Sequence, residues 1–291
     1  MSSQLDRTRA LLRKYDFKTQ KKYGQNFLVD EGVLRSIVDD AGVTKEDHVL
    51  EIGPGIGSMT RLLCEAAGHL TAVEIDEKLI PILREEMKEY DNFTLVEGDV
   101  LETDLWEIAR SQGGREMTVV ANLPYYITTP ILMELMQKDL PVRSITVMVQ
   151  KEVAERMQAS PGTKAYGALS LAVQYYAKPV IMEEVPPSCF LPQPKVSSTV
   201  IRLERHTEPP VQVQSEKLLF DLIRDSFNQR RKTLTNGLGN AGRTGLTKDE
   251  IRECIQKIGE KENVRGEALS LEQFAALADA ILDFQKKKGE S

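Results

Sequence analysis

Short apolar runs alternate with stretches of helical spacing along the first two thirds of the chain. The runs are four to six residues long, as expected of buried strands, and predict strands at 49–52, 70–75, 93–96, 117–121 and 145–149. Apolar residues at helical spacing between and around them predict helices at 33–41, 58–67, 77–90, 130–137 and 152–157. Strands that alternate with helices indicate a parallel sheet covered by helices on both faces.

The pattern changes near Glu208-Pro209-Pro210. Two closing strands are predicted before it, at 180–185 and 198–203, and only helices after it, at 213–238, 247–258 and 270–284. Ser270 and Gln273 have the spacing of a capping box. We therefore predict an α/β, Rossmann-like catalytic domain over residues 1–207 and a small all-helical C-terminal domain over 208–291. A mobile surface loop is expected at 160–164.

A glycine turn, Gly53-Pro54-Gly55-Ile56-Gly57, follows the first predicted strand of the sheet. Glycines there let the backbone pass close to a ligand. Glu74 ends the next strand, 21 residues after Gly53, where an acid can accept hydrogen bonds from ribose hydroxyls. Asp99 follows the third strand and suits an adenine amino group. The turn lacks the GxGxxG spacing of dinucleotide-binding proteins, which favours S-adenosylmethionine (SAM) over NAD; the alternative is that both acids are surface carboxylates.

Asn122-Leu123-Pro124-Tyr125 follows the fourth predicted strand. An Asn side-chain oxygen and the backbone carbonyl before a proline can accept the hydrogens of an exocyclic amino group and raise its nucleophilicity. Tyr125 offers a flat face for a flipped base. Asn and Pro are also ordinary turn residues, so a plain loop is the alternative. Its place at a strand end, where ligands of parallel sheets bind, favours a base-holding clamp.

Composition indicates an ordinary globular protein. The 291 residues are 41% apolar and 28% charged, and no apolar run approaches the roughly 18 residues of a membrane span. We expect a cytoplasmic protein with reduced thiols and no metal site, because its cysteines and histidines are scattered. They are Cys64, Cys189, Cys254, His48, His69 and His206.

The net charge is −6, yet basic residues are concentrated in two places. Seven basic residues and one acid lie between Arg7 and Lys22, and Arg230-Arg231-Lys232 forms a second cluster. Either cluster can contact RNA phosphates or be a solvated helix face. The first also has some character of a mitochondrial presequence, against which its acids and lack of a serine-rich run argue.

Several motifs, in order along nearly the whole chain after about residue 20, resemble those of the ribosomal RNA adenine dimethyltransferases. The resemblance is closest to the KsgA (RsmA) branch. The motifs are the glycine turn, Glu74, Gly98-Asp99 and four segments: Lys22-Tyr23-Gly24-Gln25-Asn26-Phe27-Leu28, Asn122-Leu123-Pro124-Tyr125-Tyr126-Ile127, Pro187-Ser188-Cys189-Phe190-Leu191-Pro192-Gln193-Pro194-Lys195-Val196 and Asn228-Gln229-Arg230-Arg231-Lys232-Thr233-Leu234.

This resemblance implies SAM-dependent dimethylation, at N6, of two adjacent adenosines in a hairpin loop near the 3′ end of 16S ribosomal RNA. The implied partner is the small ribosomal subunit, in whose biogenesis the enzyme would act as a monomer without membrane or metal. The residues implied for SAM are Asn26, Leu28, Gly53, Gly55, Glu74, Ile75, Asp99, Val100 and Asn122. Those implied for the target base are Asn122, Leu123, Pro124, Tyr125 and Phe190.

Two features of the motif around Phe190 leave room for other roles. A Phe among prolines, such as Phe190, is often a packed loop anchor. Cys189 beside it is interpreted as a spacer, because direct methyl transfer needs no nucleophilic thiol.

Two other functions also stay open: a large-subunit RNA methylase that gives macrolide resistance, and a non-catalytic ribosome-assembly or transcription factor of the same fold.

Overall fold

The computed structural model describes residues 3–20 and 23–289, which divide into two compact units. The first comprises Met1–Ala154 and Lys178–Arg205, and the second comprises Glu155–Ala177 and His206–Ser291. No helix among the described residues is both long and apolar enough to cross a bilayer.

The strands are β1 (Phe27–Leu28), β2 (His48–Ile52), β3 (His69–Glu74), β4 (Phe93–Glu97), β5 (Met117–Asn122), β6 (Val142–Gln150), β7 (Ala177–Val185), β8 (Phe190–Leu191) and β9 (Ser198–Arg205). The helices are α1 (Gln4–Lys14), α2 (Glu31–Asp40), α3 (Ser58–Ala66), α4 (Ile80–Glu86), α5 (Leu105–Ser111), α6 (Thr128–Gln137), α7 (Lys151–Gln158), α8 (Ala168–Tyr176), α9 (Glu216–Asn228), α10 (Leu234–Ala241), α11 (Lys248–Lys257) and α12 (Leu271–Gly289).

The main sheet has the strand order β4-β3-β2-β5-β6-β9-β7. Strands β4, β3, β2, β5 and β6 are parallel, and β9 pairs antiparallel with β6, with Val147 opposite Ile201. The chain runs outward from β2 to β3 and β4, then returns to β5 on the other side of β2. The carboxyl ends of β2 and β5 therefore flank the switch point where open parallel sheets bind ligands.

Apolar side chains of the helices cover the sheet of the first unit. One cluster joins Leu34 and Ile37 of α2 and Leu63 of α3 to the sheet residues Val49 and Val120. Their sequence explains this, because the apolar residues of α2 and α3 recur on one helical face.

The N-terminal segment belongs to the first unit in two ways. Leu11 of α1 packs in a cluster with Phe27 and with Leu83 of α4. Further along, β1 and β8 form a two-stranded ladder in which Phe27 pairs with Leu191 and Leu28 with Phe190. This ladder brings the segment before the main sheet next to the loop that carries Phe190.

The second unit is helical and has its own core. Leu171 of α8, Leu219 of α9, Ile251 of α11 and Phe274 of α12 are fully buried in one cluster. The predicted capping box is confirmed, since the Ser270 amide donates to Gln273 Oε1 at 2.8 Å and the Gln273 amide donates to Ser270 Oγ at 3.3 Å.

The predicted fold class is confirmed, and each predicted strand is present with shifted ends. The predicted helix 213–238 is wrong as one element, because it divides into α9 and α10. Ser215 caps α9, and Thr233 caps α10 by accepting from the Asn236 amide at 3.4 Å. The Thr233 hydroxyl lies inside the predicted helix, and its bond to the Asn236 amide competes with a continuous helix.

The unit boundary differs from the predicted division into 1–207 and 208–291. Residues 155–177 pack with the C-terminal helices, because α8 contributes Leu171 and Tyr175 to their core. No element is predicted from the sequence at 165–179, where the apolar run in α8 shows no clear helical period. Helices α1 and α5 and the short β1–β8 ladder were not predicted either.

Candidate active site

One cleft lies at the carboxyl ends of β2, β3, β4 and β5 and encloses about 1140 Å³ of empty space, including its opening. It is large enough for a nucleoside-sized ligand. Every residue predicted for SAM or the target base lines it except Phe190. Those that line it are Asn26, Leu28, Gly53, Gly55, Glu74, Ile75, Asp99, Val100, Asn122, Leu123, Pro124 and Tyr125.

The glycine turn leaves part of this cleft open. Gly53 and Gly55 have φ values of +68° and +65°, a left-handed conformation that favours glycine. A Cβ on Gly53 would meet no atom within 4 Å, whereas one on Gly55 would lie 3.2 Å from the Phe27 ring. The open space at Gly53 is where a ligand can approach the backbone.

Glu74 braces this turn from the end of β3. Its carboxylate accepts hydrogen bonds from the Gly55 amide at 3.1 Å and from the Asp76 amide at 2.9 Å. Burial raises the pKa of Glu74 to about 7. A carboxylate has about four acceptor positions, so Glu74 keeps capacity for ribose hydroxyls while it holds the turn.

Glu51 lines the cleft and was not among the residues predicted for the site. It is fully buried in β2, and neither of its carboxylate oxygens forms a hydrogen bond of good geometry among the described residues. Burial raises the pKa of this carboxyl to about 8. The nearby Thr60 hydroxyl lowers the pKa of this carboxyl, but by less than burial raises it. A cationic ligand group would compensate such a carboxylate, and SAM carries an ammonium and a sulfonium. The signal in the sequence is a single acid inside the apolar run of β2.

Asp99 and two apolar neighbours, Ile75 and Val100, line another side of the cleft. Asp99 Oδ1 accepts from the Leu101 amide at 2.9 Å, which fixes the carboxylate after β4. Ile75 is exposed over 42% of its surface, unusual for a large aliphatic side chain, and Val100 is buried beside Asp99. An acceptor with apolar surfaces nearby suits an adenine ring.

Asn122 ends β5 and contacts the N-terminal segment. Its Nδ2 donates to the Asn26 carbonyl oxygen at 3.2 Å. A backbone carbonyl only accepts hydrogen bonds, so this contact determines the orientation of the amide. Asn122 Oδ1 is thereby the atom left to accept hydrogens from a target amino group.

The rest of the clamp is held by its own contacts. The Pro124 carbonyl accepts from the Ile127 amide and the Thr128 hydroxyl, both at 3.2 Å. The Tyr125 hydroxyl is hydrogen-bonded to Ser198 Oγ at 2.8 Å, which fixes the ring. Tyr126, which also lines the cleft, is 60% exposed.

The structure does not bring Phe190 into the cleft. Its residue exposure is 3%, and it packs in the cluster that contains Leu28 and Val200. Opposite residues of a ladder project to the same face, so Phe190 lies next to Leu28, which does line the cleft. Base stacking by Phe190 stays a prediction and requires the ring to become uncovered. Burial raises the pKa of the neighbouring Cys189 thiol, which disfavours the thiolate.

The basic clusters are partly engaged in internal contacts. Arg230 Nε donates to Glu267 Oε2 at 2.7 Å, and Arg7 pairs with Glu86 at 2.7 Å. Arg231 and Lys232 are exposed. Lys21 and Lys22 lie outside the described residues. No group of three or more His, Cys, Asp or Glu side chains within the described ranges is arranged to hold a metal ion.

The parallel sheet, the open glycine turn and the acids at successive strand ends define a Rossmann-like methyltransferase. The sequence matches the family model described as "Ribosomal RNA adenine dimethylase" over residues 16–282. The chain belongs to this family.

Similar proteins cover almost the whole chain. A protein of Lachnoclostridium phytofermentans named "Ribosomal RNA small subunit methyltransferase A" is 58% identical over 273 residues, which are 93% of this chain and 94% of that protein. A protein of the same name from Alkaliphilus oremlandii is 50% identical over 94% of this chain and 96% of its own length. The crystal structure of a dimethyladenosine transferase from Plasmodium falciparum is similar with a TM-score of 0.70 at 25% identity, over 89% of this chain and 97% of that one.

The buried Glu51 predicts a pH-dependent stability. Its folded-state pKa of about 8 lies above the ordinary value of 4.5, so folding favours the protonated form. The contribution of this group to stability is therefore fully present below about pH 4.5 and is lost as the pH rises toward 8. Glu51→Gln cannot ionise, so it avoids this loss of stability. We expect the free energy of unfolding of the variant to exceed that of the wild type by a few kcal/mol at the upper end of this range. The difference should grow by at most about 1.4 kcal/mol per pH unit. Urea unfolding between pH 5 and 8 measures the gain.

The control for this prediction is Glu46→Gln, which removes an exposed carboxylate from the same unit. It should follow the wild-type pH profile. Parallel profiles for wild type and Glu51→Gln would contradict the assignment.

Base stacking and core packing by Phe190 predict different effects of replacing it with Leu or Trp. If its ring stacks on the target base, Phe190→Leu loses the π face and lowers single-turnover methyl transfer by roughly 10-fold, and Phe190→Trp is better tolerated. We expect this order. Full transfer in Phe190→Leu, with a lower melting temperature in the overpacked Trp variant, would instead show that Phe190 only packs.

Proposed function

We propose that this protein uses SAM to dimethylate N6 of two adjacent adenosines in a hairpin loop near the 3′ end of 16S ribosomal RNA, during small-subunit biogenesis. The observation that carries the proposal is the cleft, in which the predicted cofactor residues meet the Asn122 clamp. Relatives named for the small subunit, matched along more than 90% of both chains, support the choice of RNA.

The cofactor half of the cleft fits SAM by the chemistry of its donors and acceptors. Glu74 would accept from the ribose hydroxyls and Asp99 from the adenine amino group, with Ile75 and Val100 against the ring. Asn26, Leu28, Gly53 and Gly55 would line the methionine part, near the carboxyl of Glu51. SAM, when bound, supplies an electrophilic methyl group on a sulfonium.

The clamp would act on the target base by position. Asn122 Oδ1 and the Leu123 carbonyl accept the N6 hydrogens and hold the lone pair toward the donor. Holding two reactants in line replaces an encounter in solution, which is a large part of the acceleration such sites achieve. Tyr125, fixed through Ser198, offers its face to the base. The amine proton leaves to solvent, so no strong general base is required.

Other parts of the proposal concern the context of the reaction. The substrate would be a partly assembled small subunit, and the enzyme would act in the cytoplasm as a monomer. The catalytic domain corresponds to the first unit, and the helical unit presents Arg231 and Lys232 to RNA.

Mapping labelled methyl groups tests the function. The protein is incubated with labelled SAM and either undermethylated small subunits or large subunits, and the labelled nucleotides are identified. We expect label on two adjacent adenosines near the 3′ end of 16S RNA. Label on the large subunit would indicate the resistance-type methylase, and binding without label would indicate a non-catalytic assembly or transcription factor.

Asn122→Ala should abolish most methyl transfer while leaving the fold intact. The missing acceptor matters most as N6 becomes tetrahedral, so we expect the single-turnover rate to fall at least about 100-fold, or ~2.7 kcal/mol. The matched control is Asn240→Ala, in the helical unit, which should transfer at the wild-type rate. A near-normal rate in Asn122→Ala would remove the clamp assignment.

We expect the residues of the Arg230 cluster to have different roles: Arg230 stabilises the fold, whereas Arg231 and Lys232 contact RNA. Arg230 pairs with Glu267 and donates to the Thr163 and Lys164 carbonyls, so Arg230→Ala should lower the melting temperature. Charge reversal at the exposed Arg231 and Lys232 should leave the melting temperature unchanged and weaken particle binding. Each ion pair with an RNA phosphate that is removed should reduce the slope of log binding constant against log salt concentration by about one unit. An unchanged slope for both would exclude this cluster from the RNA-binding surface.

A further inference from the structure

Asp76 is a buried acid just outside the cleft. It is 2% exposed, follows Glu74 by two residues, and does not line the cleft itself. Its side-chain partners are neutral amide donors. Asp76 Oδ2 accepts from Gln25 Nε2 at 2.7 Å, and both carboxylate oxygens accept from Gln20 Nε2, at 2.8 and 2.9 Å.

The two glutamines are also joined to each other. The Gln20 backbone amide donates to Gln25 Oε1 at 2.7 Å. Because a backbone amide only donates, the Gln25 amide is oriented with its nitrogen toward Asp76. Asp76, Gln20 and Gln25 thus form a connected set of hydrogen bonds, here called the clasp. Asp76 Oδ1 also accepts from the Lys78 backbone amide at 3.1 Å, which fixes that oxygen and leaves Oδ2 toward Gln25.

The clasp attaches the first half of the cleft wall formed by residues 23–28, here called the strap, through Gln25. Tyr23 through Leu28 all line the cleft. The other end of the strap is held by the β1–β8 ladder and by the Val29 amide, which donates to the Cys189 carbonyl at 2.8 Å. Asn26 lies between these two attachments.

The clasp is connected both to the residues proposed to bind SAM and to Asn122, which is proposed to bind the target base. The Asp76 amide donates to Glu74, the residue proposed for the ribose. Gln25 precedes Asn26, whose carbonyl orients the Asn122 amide. A displaced strap would therefore alter the wall around SAM and release the hydrogen bond that leaves Asn122 Oδ1 toward the target base.

We propose that Asp76 is a positioning residue: through Gln20 and Gln25 it fixes the strap, and so sets both cofactor affinity and the orientation of Asn122. The inference rests on the proposed function for its effect on methyl transfer. Its effect on the strap itself does not depend on that function.

Asp76→Asn tests the proposal, because it keeps the shape of the side chain and places an amide donor against the glutamine donors. In the protein without cofactor, we expect faster hydrogen exchange at the amides of residues 23–28. Calorimetry should show SAM affinity lowered roughly 10-fold, since a buried group loses its partner. The single-turnover rate at saturating SAM should also fall, which loss of stability alone does not produce in the folded protein.

Two further variants keep the test decisive. Gln20→Ala removes one clasp donor outside the cleft lining, and should show the same changes to a smaller extent even if Asp76→Asn folds poorly. In a Gln25→Ala background, Asp76→Asn should add little to the loss of SAM affinity, because the route through Gln25 is already broken.

Asp225→Asn is the matched control. Asp225 is 5% exposed and accepts from Arg243 Nε at 3.1 Å in the helical unit, so its loss should lower stability without changing SAM affinity. Unchanged exchange of the strap amides and unchanged affinity in Asp76→Asn would overturn the proposal. A wild-type protein that binds no SAM would instead refute the proposed function, while the exchange result would still test the clasp.

Discussion

The carboxylate of Glu74 is the group on which the geometry of the cleft depends. It bonds the amide of Gly55, in a turn after β2, and the amide of Asp76, in the loop after β3. Two loops with different connections are thereby held at a fixed separation. Because both donors are backbone groups, the arrangement depends on the path of the chain and on a single side chain.

The parallel sheet explains why so few residues are needed to build the cleft. Adjacent parallel strands deliver their carboxyl ends to one edge, so residues far apart in sequence meet without long loops. Gly55 after β2 and Glu74 at the end of β3 are 19 positions apart and form a hydrogen bond. The proposed chemistry then relies on oriented amides and carbonyls. The raised pKa values of Glu51 and Glu74 reflect their burial beside the cleft.

Sequence patterns predicted what depends on local order. The fold class, the strands and the Ser270 cap follow from periodicity and capping chemistry, and Gly53, Glu74, Asp99 and Asn122 follow from their places at strand ends. The clasp could not be predicted, because nothing local indicates that Gln20 and Gln25 contact Asp76. Phe190 shows the same limit, since its motif is local but its burial depends on pairing with Leu28. The division of 213–238 was missed because apolar spacing continued across the Thr233 cap.

The helical unit is assembled from two separate stretches of chain, 155–177 and 206–291. Its core includes Leu171 and Tyr175 from the first stretch. A chimera that exchanges only residues after 205 between relatives would therefore combine α8 of one parent with the helices of the other. An exchange of the helical unit between members of this family must transplant both stretches together, or repack the faces where α8 meets its new neighbours.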